Sequence, residues 1–310
     1  QNIQHARKRD LPRLDAEVSM SLVKLLREKR KAYLTSGHGE ITDRNSVPPD
    51  LRGRVPERRT TLLKQQLGDL NFEVKDLAPA ALEAGVPGDA TIVMVLAPTT
   101  PLAAAEWAAL DAYAKRGGGL FIALDPKGDP ELGALEQTLG LKFNPSSITD
   151  DVSYVKQRGT VTDRRFAVTS QFSAHPSTTS LARTVGQGIV LLDSGALEEL
   201  PFMKPDPPTR TFTIRSMVSS FLDHNDNYQL DVAGPKPEKK QRWNIAAAIE
   251  GGALGSTPGF RALVFADADL FADTLTRTGT GRASVMMVSG RLLVDSLRWL
   301  AREDLVDPIP

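Results

Sequence analysis

The chain has no cysteine in its 310 residues, which excludes disulfides, thiolate nucleophiles and most structural zinc sites together. It has no charge of one sign in excess: Lys plus Arg and Asp plus Glu number 38 each. No global field therefore draws it to nucleic acid or to an anionic membrane, and a partner must be recognised locally. It also lacks any run approaching the roughly 18 apolar residues of a spanning helix, and its opening stretch QNIQHARKRD has no signal-peptide core. As it stands the sequence reads as soluble. It does not open on Met, and is expected to be a piece of a longer protein whose anchors and targeting signals lie outside it. What remains is ample: 41% hydrophobic residues are enough to bury a core in one large or two ordinary domains.

Periodicity then organises the chain. LDAEVSMSLVKLLREKRK predicts an amphipathic helix, with Val18, Leu22 and Leu25 on one face, acids near the start and cations at the end. AYLTS follows as a short strand that leaves through the loop Gly37 to Glu40, and a polar stretch with Pro48, Pro49 and Pro56 comes next. TTLLKQQLG predicts a helix with Gly68 as its left-handed C-terminal cap, and FEVKDL a strand. TIVMVL is a continuous apolar run of the kind buried on both faces of a sheet. Thr100 and Pro101 stand where an N-cap and a first helical residue are wanted, ahead of the stripe Trp107, Leu110 and Ala114. Lys115, Arg116 and Gly117 close that helix, and LFIAL is the next strand. The alternation implies a mostly parallel sheet with helices on both faces. Between about 145 and 185 the pattern weakens. GIVLL, NIAAAIEG and RALVFADADLF restore strand signals, and ASVMMVSGRLLVDSLRWLAR closes the chain as a long helix with Met286, Leu293, Leu297 and Leu300 on one side.

The expected organisation is one composite α/β domain: a helix and lead-in over 1–30, a first α/β half over 31–145, an irregular insertion or subdomain over 146–240, and closing strands with the terminal helix over 241–310. In an open parallel sheet the loops leaving the strands gather on one edge, where ligands bind. That edge should carry His38 and Glu40, then Pro98, Thr99 and Thr100, then Asp125. Gly37 and Gly39 allow a tight loop around His38. His38 with Glu40 reads as an acid–base pair, as half a metal site or as a structural turn; the spacing is no recognised ligand spacing, and His5, His175 and His224 bear no evident relation to it. Asp267 and Asp269, at a strand end, read as cation ligands or as helix caps. RGGGLF lies between a helix and a strand, the reverse of a dinucleotide fingerprint, and GTGRAS lacks a P-loop lysine. G-x-S-x-G and H-E-x-x-H are absent. No catalytic set, metal or cofactor is predicted.

The order of four segments, KAYLTSGHGE, LLKQQLGDLNFEVKDL, VLAPTTPLAAAEWAALDAYAKRGGGLFIALDP and GRLLVDSLRWLAREDLVDPIP, resembles the gliding-motility-type ABC transporter auxiliary family (GldG-like) over about residues 15–308. The extracytoplasmic domain of that family in turn resembles the N-terminal domain of an intraflagellar-transport protein. The resemblance implies a flavodoxin-like or class I amidotransferase-like domain with a less regular inserted subdomain. It further implies a periplasmic position, anchored to the inner membrane by segments outside this sequence, beside an ABC permease and ATPase. The positions it carries over are Gly37, His38, Gly39 and Glu40, the loop Pro98, Thr99 and Thr100, and the turn Asp125 and Pro126, as rim residues. Two departures stand out. Amidotransferase-like enzymes use a cysteine nucleophile that this chain lacks, and AYLTS is less apolar than a typical first strand, which predicts a less buried one. The function expected is a non-enzymatic auxiliary that contacts an envelope polymer, a protein or a small solute, with no nucleic acid. Two alternatives stay open: a hydrolase or transferase with a His/Glu/Asp site on the rim, and a purely structural scaffold for protein interaction.

Overall fold

The computed structural model describes residues 29–41, 60–127, 130–184, 186–203, 206–253, 255, 258–272 and 282–303. The helix expected over 14–31 falls outside them as far as residue 28, and at its end Arg30 and Lys31 belong instead to the first strand, β1 (Arg30–Thr35). The polar stretch with its three prolines also lies outside the described residues.

The first half alternates as its periodicity requires. After β1 come α1 (Thr61–Asp69), β2 (Phe72–Leu77), α2 (Pro79–Glu83), β3 (Ala90–Leu96), α3 (Ala104–Lys115) and β4 (Gly119–Ala123). The middle of the chain is made of short pieces: α4 (Leu135–Leu139), β5 (Leu141–Asn144), β6 (Ser147–Asp150), β7 (Val168–Thr169), β8 (Gln171–Phe172), α5 (Thr179–Ala182), β9 (Ile189–Val190) and β10 (Ala196–Glu199). Longer elements return with β11 (Thr209–Arg215), β12 (Ser220–Asp223), β13 (Asn244–Glu250), β14 (Arg261–Phe265) and α6 (Arg282–Leu300).

Eight strands form one sheet in the order β2-β1-β3-β4-β14-β13-β11-β8. The pairings from β2 through β14 are parallel and the last three are antiparallel. β3 and β4 are buried on both sides, because alternate residues feed different layers. Ile92, Met94 and Phe121 pack with Leu63 and Leu67 of α1 and with Leu292, Leu293 and Leu297 of α6. Val93, Val95 and Ile122 pack on the other face with Trp107, Leu110 and Ala114 of α3 and Leu139 of α4. This is the mostly parallel α/β architecture expected, with helices on both faces. Among the described residues no helix is long and apolar enough to cross a membrane.

Four expectations are corrected. β1 is not the less buried strand that AYLTS suggests: it lies between β2 and β3, and Ala32, Tyr33, Leu34 and Thr35 are all buried. Tyr33 and Thr35 lend enough apolar surface for that position, and the Tyr33 hydroxyl escapes the core to donate to Asp89. Gly68 lies within α1, and the left-handed residue is Asn71 (φ 64°), one of the few non-glycine types that tolerates it. Thr100 does not cap α3: the helix starts after Ala103, whose N–H is taken by the Glu106 carboxylate at 2.7 Å. Finally, GIVLL supplies only the two-residue β9, paired with β7 outside the main sheet.

Candidate functional site

β1 pairs with β2 on one side and β3 on the other, so the chain departs in opposite directions from this point of the sheet. The exits of β1 and β3 therefore flank the crevice at which open α/β sheets bind ligands. The loops there are GHGE after β1 and PTT after β3.

The two loops are stapled by the His38 backbone. Its carbonyl accepts the N–H groups of Thr99 at 2.8 Å and Thr100 at 3.0 Å, and the Thr99 hydroxyl at 3.2 Å. Just beyond, Ile41 N–H reaches the Leu96 carbonyl at 2.9 Å. Gly39 is required on two counts. Its φ is +74°, and a Cβ there would drive into the Thr99 Oγ1. Gly37, at φ +102°, has no room for a Cβ against the ring of Pro79.

The side chains converge as well. Glu40 folds back so that Oε2 accepts the His38 N–H at 2.8 Å, and Oε1 lies 3.5 Å from His38 Nδ1. On the other side of the ring, His38 Nε2 is 3.0 Å from Oε2 of Glu106. The imidazole thus sits between two carboxylates that are themselves buried, Glu40 at 5% and Glu106 at 1% exposure. Each carboxylate keeps one oxygen, Oε1, without a hydrogen-bond partner. Their other oxygens hold backbone N–H groups, so the cluster acts as a latch across the β1 exit, the β3 exit and the start of α3. Glu106 was not among the candidates from sequence. The signal for it was a lone acid in the first turn of a predicted helix, where the dipole and the free N–H groups favour a carboxylate.

The remaining candidates are distributed along the same edge. Pro98 is buried in the β3 exit, while Gly37, Gly39, Thr99 and Thr100 are exposed. Asp125 is buried just past β4, whose chain continues by pairing Leu124 N–H with the Phe265 carbonyl. Asp267 and Asp269 follow β14, three strands from β1 and so about 14 Å away at the usual strand spacing. Asp267 is wholly buried, and its two oxygens accept the N–H groups of Leu192 at 2.8 Å and Asp269 at 2.9 Å. The carboxylate thus ties the Leu192 segment to the turn after β14 and does not cap a helix, since the following 3-10 turn starts after Ala268. His38, Glu40 and Glu106 are brought together, then, and Asp267 is engaged elsewhere.

A second charged group on this edge was not foreseen. Asp193, beside the β14 exit, pairs with Arg165 and lies 3.9 Å from the Lys127 Nζ. Burial pushes its carboxyl above the usual carboxylate range, against the opposing pull of Arg165 and Lys127. Among the described residues no three His, Cys, Asp or Glu side chains gather to hold a metal. Two cavities lie away from the rim. One of about 270 Å³ sits at the opposite end of the strands beside Phe202, Gly251 and Phe260, and a shallower one of about 490 Å³ runs along α6 at Arg291, Asp295 and Arg298.

Compared with known proteins, the chain matches over residues 29–291 a family model described as ABC-type uncharacterized transport system. No curated protein matches it. Among solved structures, the mmIFT52 N-terminal domain superposes with a TM-score of 0.57 at 16% identity, covering 87% of this chain and 97% of that one, a likeness of fold. A ThuA-like protein from Bacteroides uniformis aligns at 15% identity over 88% of this chain and 91% of its own, with a TM-score of 0.41. One from Parabacteroides merdae does so at 12% over 91% and 93%, also at 0.41.

Proposed function

We propose a function for a chain that belongs to the ABC-type uncharacterized transport system family. Membership gives it an auxiliary role in such a system. Within that role we read it as a non-enzymatic, extracytoplasmic domain of the GldG-like, gliding-motility type. Segments outside this sequence hold it to the inner membrane, and it works beside the permease and ATPase, contacting an envelope polymer or a protein. The rim from the GHGE loop through PTT to Asp125 is the edge assigned to that contact, and 146–240 is taken as an inserted unit that flanks it.

The observation that carries the non-enzymatic reading is the commitment of the rim's ionisable groups. Glu40 and Glu106 each hold a backbone N–H, and the Thr99 hydroxyl, brought to the His38 loop, is engaged by a backbone carbonyl. With no cysteine in the chain, the amidotransferase type of nucleophile has no counterpart.

The absence of cysteine also provides the test. In the full-length protein, Val152→Cys, at an exposed position, is expected to add labelling over the parent by a membrane-impermeant maleimide in intact spheroplasts. Labelling only after lysis would overturn the extracytoplasmic reading. Co-purification with a permease and an ATPase tests the partners.

One observation favours the enzymatic alternative: an imidazole held between two carboxylates is a plausible general acid–base. Under that reading His38→Ala abolishes turnover of an acyl or glycosyl substrate. Under ours it loosens the latch and changes binding alone.

A further inference from the structure

The cavity of about 270 Å³ at the end of the strands away from the rim is built by three parts of the chain. The segment leading into β11 brings Phe202 and Met203, the connection from β13 to β14 brings Gly252 and Phe260, and the ends of α3 and α4 bring Lys115 and Gln137. The apolar wall is held in place from behind. A Cβ at Gly140 would lie 2.6 Å from the Phe202 ring, so that ring rests on bare backbone. The Arg210 guanidinium stands 4.8 Å from the Phe202 centroid while donating to the Leu200 carbonyl at 3.0 Å. Phe260 is fixed in the same way: its carbonyl accepts Gly251 N–H at 2.9 Å, and its ring covers Gly251, where a Cβ would come within 2.4 Å.

Two further observations point to an occupant. Met203 lines this cavity at 84% exposure, and a flexible thioether beside an aromatic wall adapts its shape to what it covers. Polar side chains, too, line the cavity with hydrogen-bonding capacity unspent. Among the described residues the Gln137 carboxamide and the Asp206 carboxylate take no hydrogen bond or ion pair. Lys115 pairs with Asp111 alone, which leaves its ammonium two donors. Asp111 also accepts the Thr138 hydroxyl at 2.5 Å, so this side of the cavity is organised around one carboxylate.

The chemistry of the two walls selects the ligand by elimination. An anion is disfavoured, because Asp206 stands in the wall and Asp111 already answers Lys115. A metal ion finds no three His, Asp or Glu side chains gathered among the described residues. A pure hydrocarbon would strip water from Asp206 and Gln137 and return nothing. What suits both walls is an uncharged ring. Its C–H face meets the aromatic rings, whose faces are the negative side of their quadrupole, and its hydroxyls donate to Asp206 and accept from Lys115 and Gln137. We propose that this cavity binds a neutral sugar ring, at a site separate from the rim and independent of the transport reading. Its volume is at the small end for ligand sites and suits one ring, held with a dissociation constant of about 1–10 mM.

The test titrates the full chain with glucose, galactose and N-acetylglucosamine, followed by saturation-transfer NMR and calorimetry. Saturable binding of at least one sugar is expected, with transfer strongest to the protons on one face of its ring. Asp206→Asn, which keeps the shape and removes the charged acceptor, should weaken it about tenfold. Gly252→Leu should do so at least as strongly: the backbone there lies outside the left-handed region and a new Cβ meets nothing within 4 Å, so leucine takes up space at the cavity wall without displacing the chain. Circular dichroism checks that each variant keeps its fold. Asp89→Asn, in the distant pair with Lys31, should bind as the parent does. No saturable binding of the three sugars up to about 100 mM, unchanged affinity in both folded variants, or displacement by phenylalanine, the mark of a zwitterion site, would each overturn the proposal. Maleimide labelling reads only the side of the membrane, so either result can fail without the other.

Discussion

The parallel half of the sheet and the middle of the chain, from about residue 146 to 240, are held by different forces. In β1, β3, β4 and β14 the work is done by apolar residues that enter two cores, such as Phe121, which meets Phe265 and Phe271 at centroid distances of 5.2 and 4.8 Å. Between Ser146 and Lys240, by contrast, most strands are two to four residues long, and buried carboxylates gather the backbone. Asp150 takes the N–H groups of Val152 and Ser153 and the hydroxyls of Ser219 and Ser220. Asp163 takes those of Gln157, Arg158 and Gly159. The first kind of order is non-directional and scales with area, whereas the second depends on a few charge-assisted hydrogen bonds.

The contrast breaks most visibly at its strongest points. Phe121→Ala should cost about 3–5 kcal/mol and lower the single unfolding transition of the whole sheet in urea. Asp150→Ala leaves several donors unpaired and should cost on the order of 3 kcal/mol, but locally: hydrogen exchange should accelerate at residues 147–153 and 220 before it does in β3. Uniform acceleration across both regions would show that they unfold as one body and that the contrast is only one of composition. At the rim, Gly39→Ala should cost about 1–3 kcal/mol through its positive φ and its collision with Thr99, and Thr99→Ala should recover only the part due to collision. Thermal melts of the two single variants and the double variant measure that partition.

Acid sharpens the comparison. Although burial works the other way, the backbone N–H groups around Asp163 hold its carboxyl below the ordinary value. A carboxyl depressed in the folded state stabilises fully above its unfolded value, near pH 4, and that contribution is lost as pH falls through the folded value. Exchange at Gln157–Gly159 is therefore expected to rise below about pH 4 while β4 stays protected. The smallest effect is a gain: Gly68→Ala, inside α1 with nothing within 4 Å of a new Cβ, should add about 0.5–1 kcal/mol. A loss there would restore Gly68 as a left-handed cap.

The same division separates what was legible in the sequence from what was not. FEVKDL, TIVMVL and LFIAL announce β2, β3 and β4 because burial imposes a period or a continuous run, and Trp107, Leu110 and Ala114 are the inward stripe of α3. The strand β11, TRTFTIR, was overlooked although it alternates, since three threonines and two arginines dilute the apolar signal. GIVLL misled in the other direction: Ile189 and Leu191 are buried in the core that includes Leu292 and Leu293 of α6, without extending the main sheet. Of the rim, the GHGE and PTT loops could be placed together by the switch of chain direction. Glu106 could not, since its partner His38 is 68 residues away and only the folded sheet brings them together. Asp150 and Asp163, which gather the backbone in the middle of the chain, have no periodicity to betray them.

One pairing has a consequence for how the chain is made. β4 is completed on its far side by β14, and nearly 140 residues separate the two in the chain. As the polypeptide emerges from its amino end, β2, β1, β3 and β4 can assemble early, but the outer flank of β4 keeps a row of bare N–H and C=O groups until Arg261–Phe265 arrives. Ring closure over so long a loop is slow. Any state in which β2, β1, β3 and β4 pair first bares that flank of β4, and a short peptide of sequence RALVF has the register to occupy it.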